Sequence, residues 1–147
     1  MTIQGTHDLA RPPAQVFEAL NDPAILQETI PGCEKLEKTA ADEYSAQLKI
    51  GIAAVKGSYA GKVRLSDQQP PNRFTLQLEG KGAQGFVKGT ARVELKEKDQ
   101  GTELRYTADV QVGGLIAAVG SRMIEAAAKK MAADFFQRFS TALEGRK

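Results

Sequence analysis

The side chains that could do chemistry from inside this 147-residue chain are few: His7, Cys33, Tyr44, Tyr59 and Tyr106. His7 is the sole histidine and Cys33 the sole cysteine. A disulfide within the chain is therefore impossible, and a Cys/His zinc site cannot reach its ligand count, so neither a metal nor another cofactor is expected. An acid/base enzyme needs a positioned titratable group. His7 lies between Gly5 and Leu9 in an alternating stretch, where the ordinary fate of an imidazole is burial with its hydrogen bonds satisfied. Cys33 has Lys35 as its basic neighbour and no other close by, which favours an inert thiol. The acidic residues Glu79, Glu94, Glu103 and Asp109 alternate onto the polar side of their strands, so no carboxylate faces inward beside the histidine. The segment GGLIAAVG lacks the spacing and the lysine of a phosphate-binding loop. No catalytic residue is assigned. The alternative is an enzyme of the cyclase/hydratase kind that uses His7 and a tyrosine in one cavity.

The elements that would position these groups follow from periodicity. Ile3, Gly5, His7 and Leu9 alternate as a first strand. RPPAQVFEALND opens a helix with prolines where a missing N–H does no harm, and DPAILQETIPG opens a second with Asp22 as its cap. From residue 33 to 112 the period is two. One apolar set is Tyr44, Ala46, Leu48, Ile50 and Ile52; the next runs from Val55 through Gly57, Tyr59, Gly61 and Val63 to Leu65. Phe74, Leu76 and Leu78 follow, then Val87 to Leu95, then Leu104 to Val112 after the turn KDQG. Short turns between half-wet strands describe an antiparallel meander. A helix from about Gly114 to Leu143, roughly 45 Å long, is the one element able to cover the dry face. Its apolar stripe Met123, Ala127, Met131, Phe135, Phe139 and Leu143 winds around the axis, which suits a helix clasped by a twisted, curved sheet. The expected fold is α+β, one domain over residues 1–147.

The inward strand face is rich in small residues: Gly5, Ala46, Gly57, Gly61, Gly80, Gly89, Ala91 and Ala108. Glycine in a strand marks a bend or a close approach, and several together leave either a bent, filled core or a cavity. The cavity reading makes the chain a non-catalytic carrier of a small hydrophobic ligand. Its expected walls are Leu48, Ile50, Tyr59, Val63, Leu76, Leu78, Val93 and Tyr106, with His7 on the same face. The expected lid is Ile116, Val119, Met123 and Ala127, with Gly120 permitting close approach, and the movable rim is Ile25, Leu26 and Ile30. Methionine adapts to apolar guests of different shape, and tyrosine gives an apolar wall a polar handle.

Composition narrows the partners. With 41% hydrophobic and 26% charged residues and a net charge of +2, the chain has an ordinary globular make-up. Lys49, Lys56, Lys62, Arg64, Arg73, Lys88 and Arg92 decorate the outer sheet face, which is expected to be solvated; docking of an acidic partner or anionic head groups there is the alternative. The chain has no Trp and no aromatic pair among these cations for stacking, so no nucleic acid is expected. MTIQGTHDLA is not built as a signal peptide, and the longest nearly uncharged apolar stretch is too short to span a bilayer. A cytoplasmic protein is expected.

The opening strand, the RPPAQVFEALNDP helix pair, IPGCE at 30–34, GFVKGTARVEL and GGLIAAVGSRMIEAAAKKMAADFF together resemble the G-subunit family of carbon monoxide dehydrogenase. That family sits in the polyketide cyclase/START-like (SRPBCC) superfamily. The resemblance implies a helix-grip fold, in which a curved antiparallel sheet wraps a long C-terminal helix around an apolar cavity. It also implies an accessory role beside a molybdenum hydroxylase-type oxidoreductase: attaching it peripherally to the inner face of the membrane and handling a lipophile such as a quinone. Members linked to membrane attachment carry a C-terminal extension, where this sequence ends Glu144-Gly145-Arg146-Lys147.

Overall fold

Seven strands and three α-helices make up the computed structural model, which describes residues 1–145; Arg146 and Lys147 lie outside the described residues. The elements are β1 (Thr2–Leu9), α1 (Pro13–Leu20), α2 (Pro23–Thr29), β2 (Cys33–Ala40), β3 (Glu43–Ile50), β4 (Gly57–Gln69), β5 (Arg73–Gly82), β6 (Gly85–Lys98), β7 (Gly101–Gly113) and α3 (Ser121–Glu144). Two 3₁₀ turns, Ala53–Val55 and Leu115–Val119, precede β4 and α3. The strands form one antiparallel sheet in the order β1-β7-β6-β5-β4-β3-β2, with β5 at the centre.

Each local choice has a cause in the residues. Pro13 and Pro23 occupy first turns, where their missing N–H is harmless. Asp22 accepts a hydrogen bond from the Ala24 N–H at 2.9 Å and caps α2. The β6–β7 hairpin places Asp99 and Gln100 at positive φ, as a two-residue turn that follows the sheet's twist requires. β1 and β2 are consecutive strands at opposite edges, so α1 and α2 must travel between the two edges. Their buried faces (Val16, Phe17, Ala19, Leu20 and Ile25) join Leu65, Phe74, Leu95, Leu104, Phe139 and Leu143 in the main core. Phe17 meets Phe74 edge-on at 5.5 Å, and the Tyr44 hydroxyl donates to the Asn21 carbonyl at 3.0 Å.

The helix-grip architecture expected from the sequence is the one observed, with four local corrections. β2 buries only Leu36; an edge strand with one inward side chain leaves no alternating pattern to read. Ile52 and Val55, expected within strands, belong instead to the 3₁₀ connection between β3 and β4. The long helix is broken: Gly120 at φ +94, ψ 150 separates the Leu115–Val119 turn from α3, a conformation that essentially only glycine adopts. Met123 is 52% exposed, and Ile124 takes the inward position beside Ala127. With the helix restarting at Ser121, the winding stripe begins one residue later than expected.

The cations on the outer sheet face are interleaved with acids. Glu43 lies near Lys62 and Arg64, and Glu103 pairs with Lys98 and Arg105. Across strands Glu79 stands opposite both Lys62 and Lys88, and Glu94 opposite Arg73 and Arg105. That alternation makes a solvated, nearly compensated surface in place of a single-sign docking face.

Candidate ligand cavity

Strand register sets the inner face in rows. One row reads Tyr44, Val63, Leu78, Gly89, Val110, and the next Ala46, Gly61, Gly80, Val87, Val112. Leu78 lies on the central strand, facing the helix side, yet 41% of it is exposed. A large apolar side chain in the middle of a covered face stays accessible only if the cover stands away from it. The glycines agree. A Cβ added at Gly80 would meet nothing within 4 Å, and one at Gly89 only sheet atoms of β7. At Gly61 the three nearest atoms belong to Glu79, Leu48 and Ala46, all in the sheet. The small residues leave an open space above β4, β5 and β6.

Helix α3 closes this space unevenly. Its C-terminal half (Phe135, Phe136, Phe139, Ala142 and Leu143) packs into the main core with α1 and α2. Phe139 is fully buried, and Phe135 stacks on it at 5.6 Å. Lower on the sheet, Ile3, Ala91 and Ala108 close against Ala128. The N-terminal half, from Ser121 to Met131, spans the open part, with Ile124 and Ala127 buried and Met131 half-buried.

The expected cavity residues divide accordingly. Leu48, Val63, Leu76 and Leu78 are partly accessible on the inner face. Ile50, Tyr59, Ile116 and Ala127 are on the same side but buried. Val93 is part of the close-packed main core, because Phe74 and Tyr106 flank it across the strands. Val119 and Met123 are too exposed to form a closed lid, and Gly120 has open space around it where close contact with the sheet was expected. Ile25 is no rim: it is 2% exposed, and Leu26 and Ile30 pack against the same core. The depression beside α2, about 790 Å³, is polar, lined by Glu28, Asp134, Gln137 and Arg138 among others.

At the other end of the molecule two of the expected lid residues, Ile116 and Val119, border a separate depression. A cleft of about 510 Å³ is lined by Ala53, Lys56, Gly57, Gln84, Leu115, Ile116 and Val119. Its signal in the sequence is the pair of glycine-flanked segments, GIAAVKG and GGLIAAVG, which read as strand and helix by hydrophobicity alone. Both are short 3₁₀ turns.

The polar groups facing the interior are His7 and the tyrosines. Tyr59 is tied down, its hydroxyl donating to the Val55 carbonyl at 2.7 Å, which anchors the Ala53–Val55 turn. His7 stacks on Phe136 at 4.1 Å and lies parallel to Tyr106 at 6.1 Å. The expected hydrogen bonds of a buried histidine are not made. Neither the His7 ring nor the Tyr106 hydroxyl pairs with another described group, and no fully buried side-chain nitrogen or oxygen among the described residues lacks a partner. Their polar atoms therefore reach solvent-accessible space. Burial lowers the His7 pKa, with the charge of Asp8 opposing, and burial raises that of Tyr106, with Lys129 opposing. Both shifts favour neutral forms, which can exchange hydrogen bonds with a guest. Asp8 is no catalytic orienter, for it lies on the outer face near Lys98 at 3.6 Å. Among the described residues no group of three His, Cys, Asp or Glu side chains could hold a metal ion. Among them, too, no helix is long and apolar enough to cross a membrane.

Comparison with known proteins places this geometry. No curated protein matches the chain. Among solved structures, a conserved protein from Geobacillus kaustophilus superposes with a TM-score of 0.95 at 37% identity, covering 99% of this chain and 96% of that one. A START superfamily protein from Mycobacterium smegmatis reaches a TM-score of 0.77 at 12% identity over 98% and 97% of the two chains. A protein from Chromobacterium violaceum reaches 0.77 at 17% identity over 97% and 96%. The last two speak for the fold alone, a START-like helix grip. The family model for the G subunit of carbon monoxide dehydrogenase (CoxG) matches residues 5–144, and the chain belongs to that family.

Proposed function

We propose that this protein carries a small hydrophobic molecule between the sheet and the N-terminal half of α3 and performs no chemistry on it. The observation that carries the reading is Leu78, 41% exposed on the central strand beneath the helix, with open space over Gly80 beside it. A close-packed interior has few voids larger than a water molecule; accessible apolar surface in the middle of a fold is what a ligand pocket presents. Leu48, Val63, Leu76 and Leu78 form its wall and Ile116, Ile124 and Ala127 its closed side, while His7 and Tyr106 lie on the same side of the sheet beyond the contact of Ala91 and Ala108 with Ala128. A quinone suits this arrangement, having a flat apolar body that an apolar wall of this kind can hold. Family membership supports an accessory role beside a carbon monoxide dehydrogenase-type oxidoreductase as the ligand's donor or recipient. The enzyme alternative would need a group to orient His7, and its neighbour Asp8 faces away.

Native mass spectrometry of the purified protein, followed by organic extraction, tests this reading. The expected result is one apolar molecule per chain, displaced by added quinone. A chain that co-purifies empty and takes up neither quinone nor a lipophilic fluorophore would overturn it.

A further inference from the structure

The two edges of the sheet are protected very differently. β2, at one edge, carries the ordinary devices against strand pairing. Its register with β3 shifts twice, between Cys33 and Lys35 and between Lys38 and Ala40. Lys35 and Lys38 stand along it, and the Gln27 side chain of α2 accepts a hydrogen bond from the Leu36 N–H at 3.2 Å. β1, at the other edge, has none of these. Thr2–Leu9 reads TIQGTHDL, without lysine, arginine or proline, and its eight residues pair with β7 without a register shift. Met1 and Val110 exchange both backbone hydrogen bonds, at 3.2 and 2.7 Å. Alternation then turns the N–H and C=O groups of Ile3, Gly5, His7 and Leu9 toward β7 and those of Thr2, Gln4, Thr6 and Asp8 outward. Those four residues are exposed, and among the described residues nothing hydrogen-bonds to their outward backbone groups. On the inner face, the Tyr106 ring lies across Gly5, its hydroxyl 2.9 Å from where a Cβ would stand.

We infer that β1 is the interface of a two-fold dimer, in which β1 of one copy pairs antiparallel with β1 of another and the two seven-stranded sheets run on as one. The outward groups fix the parity of the pairing, because Thr2, Gln4, Thr6 and Asp8 are the residues with backbone hydrogen bonds to give. An axis at Thr6 satisfies it. Thr6 then faces Thr6 of the other copy, Asp8 faces Gln4, His7 faces Gly5 and Leu9 faces Ile3. The two threonines form a favourable cross-strand pair, and the Gln4 amide can donate to the Asp8 carboxylate. The apolar Leu9 and Ile3 meet on the inner face. No like charges stand opposite one another, and Asp8, the one charge on the strand, has Lys98 at 3.6 Å in its own chain. The pairing of His7 with Gly5 selects a second copy over a foreign segment. It brings the imidazole of one copy beside the Tyr106 hydroxyl of the other, two polar groups that have no hydrogen-bond partner in the single chain. The open space above β4, β5 and β6 lies away from this edge, so the dimer does not depend on the carrier reading.

Analytical ultracentrifugation of the purified full chain over a concentration series tests this. A reversible dimer is expected, dissociating in the micromolar range that a small edge-to-edge interface supports. Thr6→Lys, at an exposed position, sets two ammonium groups opposite each other at the axis and is expected to weaken the dimer about fivefold or more. Thr6→Glu is expected to do the same, and an equimolar mixture of the two variants to recover a dimer with one copy of each. Tyr106→Phe removes a hydroxyl that has no partner in the single chain. It is expected to leave urea unfolding of the dilute, monomeric protein unchanged while weakening the dimer about fivefold. A parent that stays monomeric throughout the series overturns the inference, including one whose β1 edge takes up an extended segment of a different protein. A dimer that Thr6→Lys and Tyr106→Phe leave equally tight overturns it too, as does a Lys/Glu mixture that stays monomeric where the parent dimerises.

Discussion

Filling the space over Gly80 separates a cavity from a packed core in one substitution. In Gly80→Leu the new Cβ meets nothing within 4 Å, so the leucine enters the volume beside Leu78, Val63 and Val87 without a clash at its Cβ. Replacing glycine inside a strand gains about 0.5–1 kcal/mol from the unfolded chain. Burying about half of a leucine side chain adds about 1 kcal/mol, and its lost rotamers cost about 0.5–1 kcal/mol. The net is a stabilisation of about 1 kcal/mol, which for a chain of this length raises Tm by about 3 °C. The matched control is Ala108→Phe. Ala108 is 7% exposed and closed in by Ile3, Ala91 and Ala128; although the sequence suggests the same open space there, overpacking should cost about 1–3 kcal/mol. Thermal unfolding and titration with a lipophilic fluorophore read both variants. Gly80→Leu should be at least as stable as the parent and bind the probe at least tenfold more weakly. If it unfolds as early as Ala108→Phe, the space is already filled and the reasoning from Leu78 fails.

Three further outcomes are expected. Gly120→Ala places a Cβ in open space but holds the backbone at φ +94, ψ 150, so urea unfolding should report a loss of about 1–3 kcal/mol from strain alone. Phe139→Ala removes a fully buried ring at the centre of the main core and should cost about 3–5 kcal/mol by the same measurement. Burial lowers the His7 pKa in the folded state. Its contribution to stability is therefore present above the unfolded value near 6.5 and is lost as pH falls below it; in His7→Gln the pH dependence of stability between about 7 and 5 should flatten.

The strands with one wet and one dry face are legible because alternation is local: β3 to β7 can be read from residues 43 to 113, apart from the 3₁₀ connection that the apolar Ile52 and Val55 disguise as strand. β2 cannot, since a strand that buries only Leu36 has no second apolar position to set a period. The break before α3 is hidden for a different reason. GGLIAAVGSRMI is apolar enough to continue a helix, and only the backbone angle at Gly120 shows that it does not. The candidate wall is partly readable from register, and the open space from the cluster of small residues. Which small residues border space and which are packed depends on where α3 lies above them, as Gly80 and Ala108 show, and no single strand carries that information. The prolines around α2 suggest a movable rim, whereas α2 packs against the buried end of α3.

The pairing of β1 with β7 sets the order in which the chain can complete itself. Thr2 stands opposite Asp109 and Leu9 opposite Thr102, so β1 has its partner about a hundred residues later in the chain. β2 through β7 can zip successively as hairpins, each closing a short loop, while β1 waits with one apolar face unpaired. Non-local closure of this kind is slow and leaves strand edges unpaired meanwhile. The sheet is therefore sealed by β1 only after β7 has formed, with α3 burying Ile3 and Leu9 from the other side.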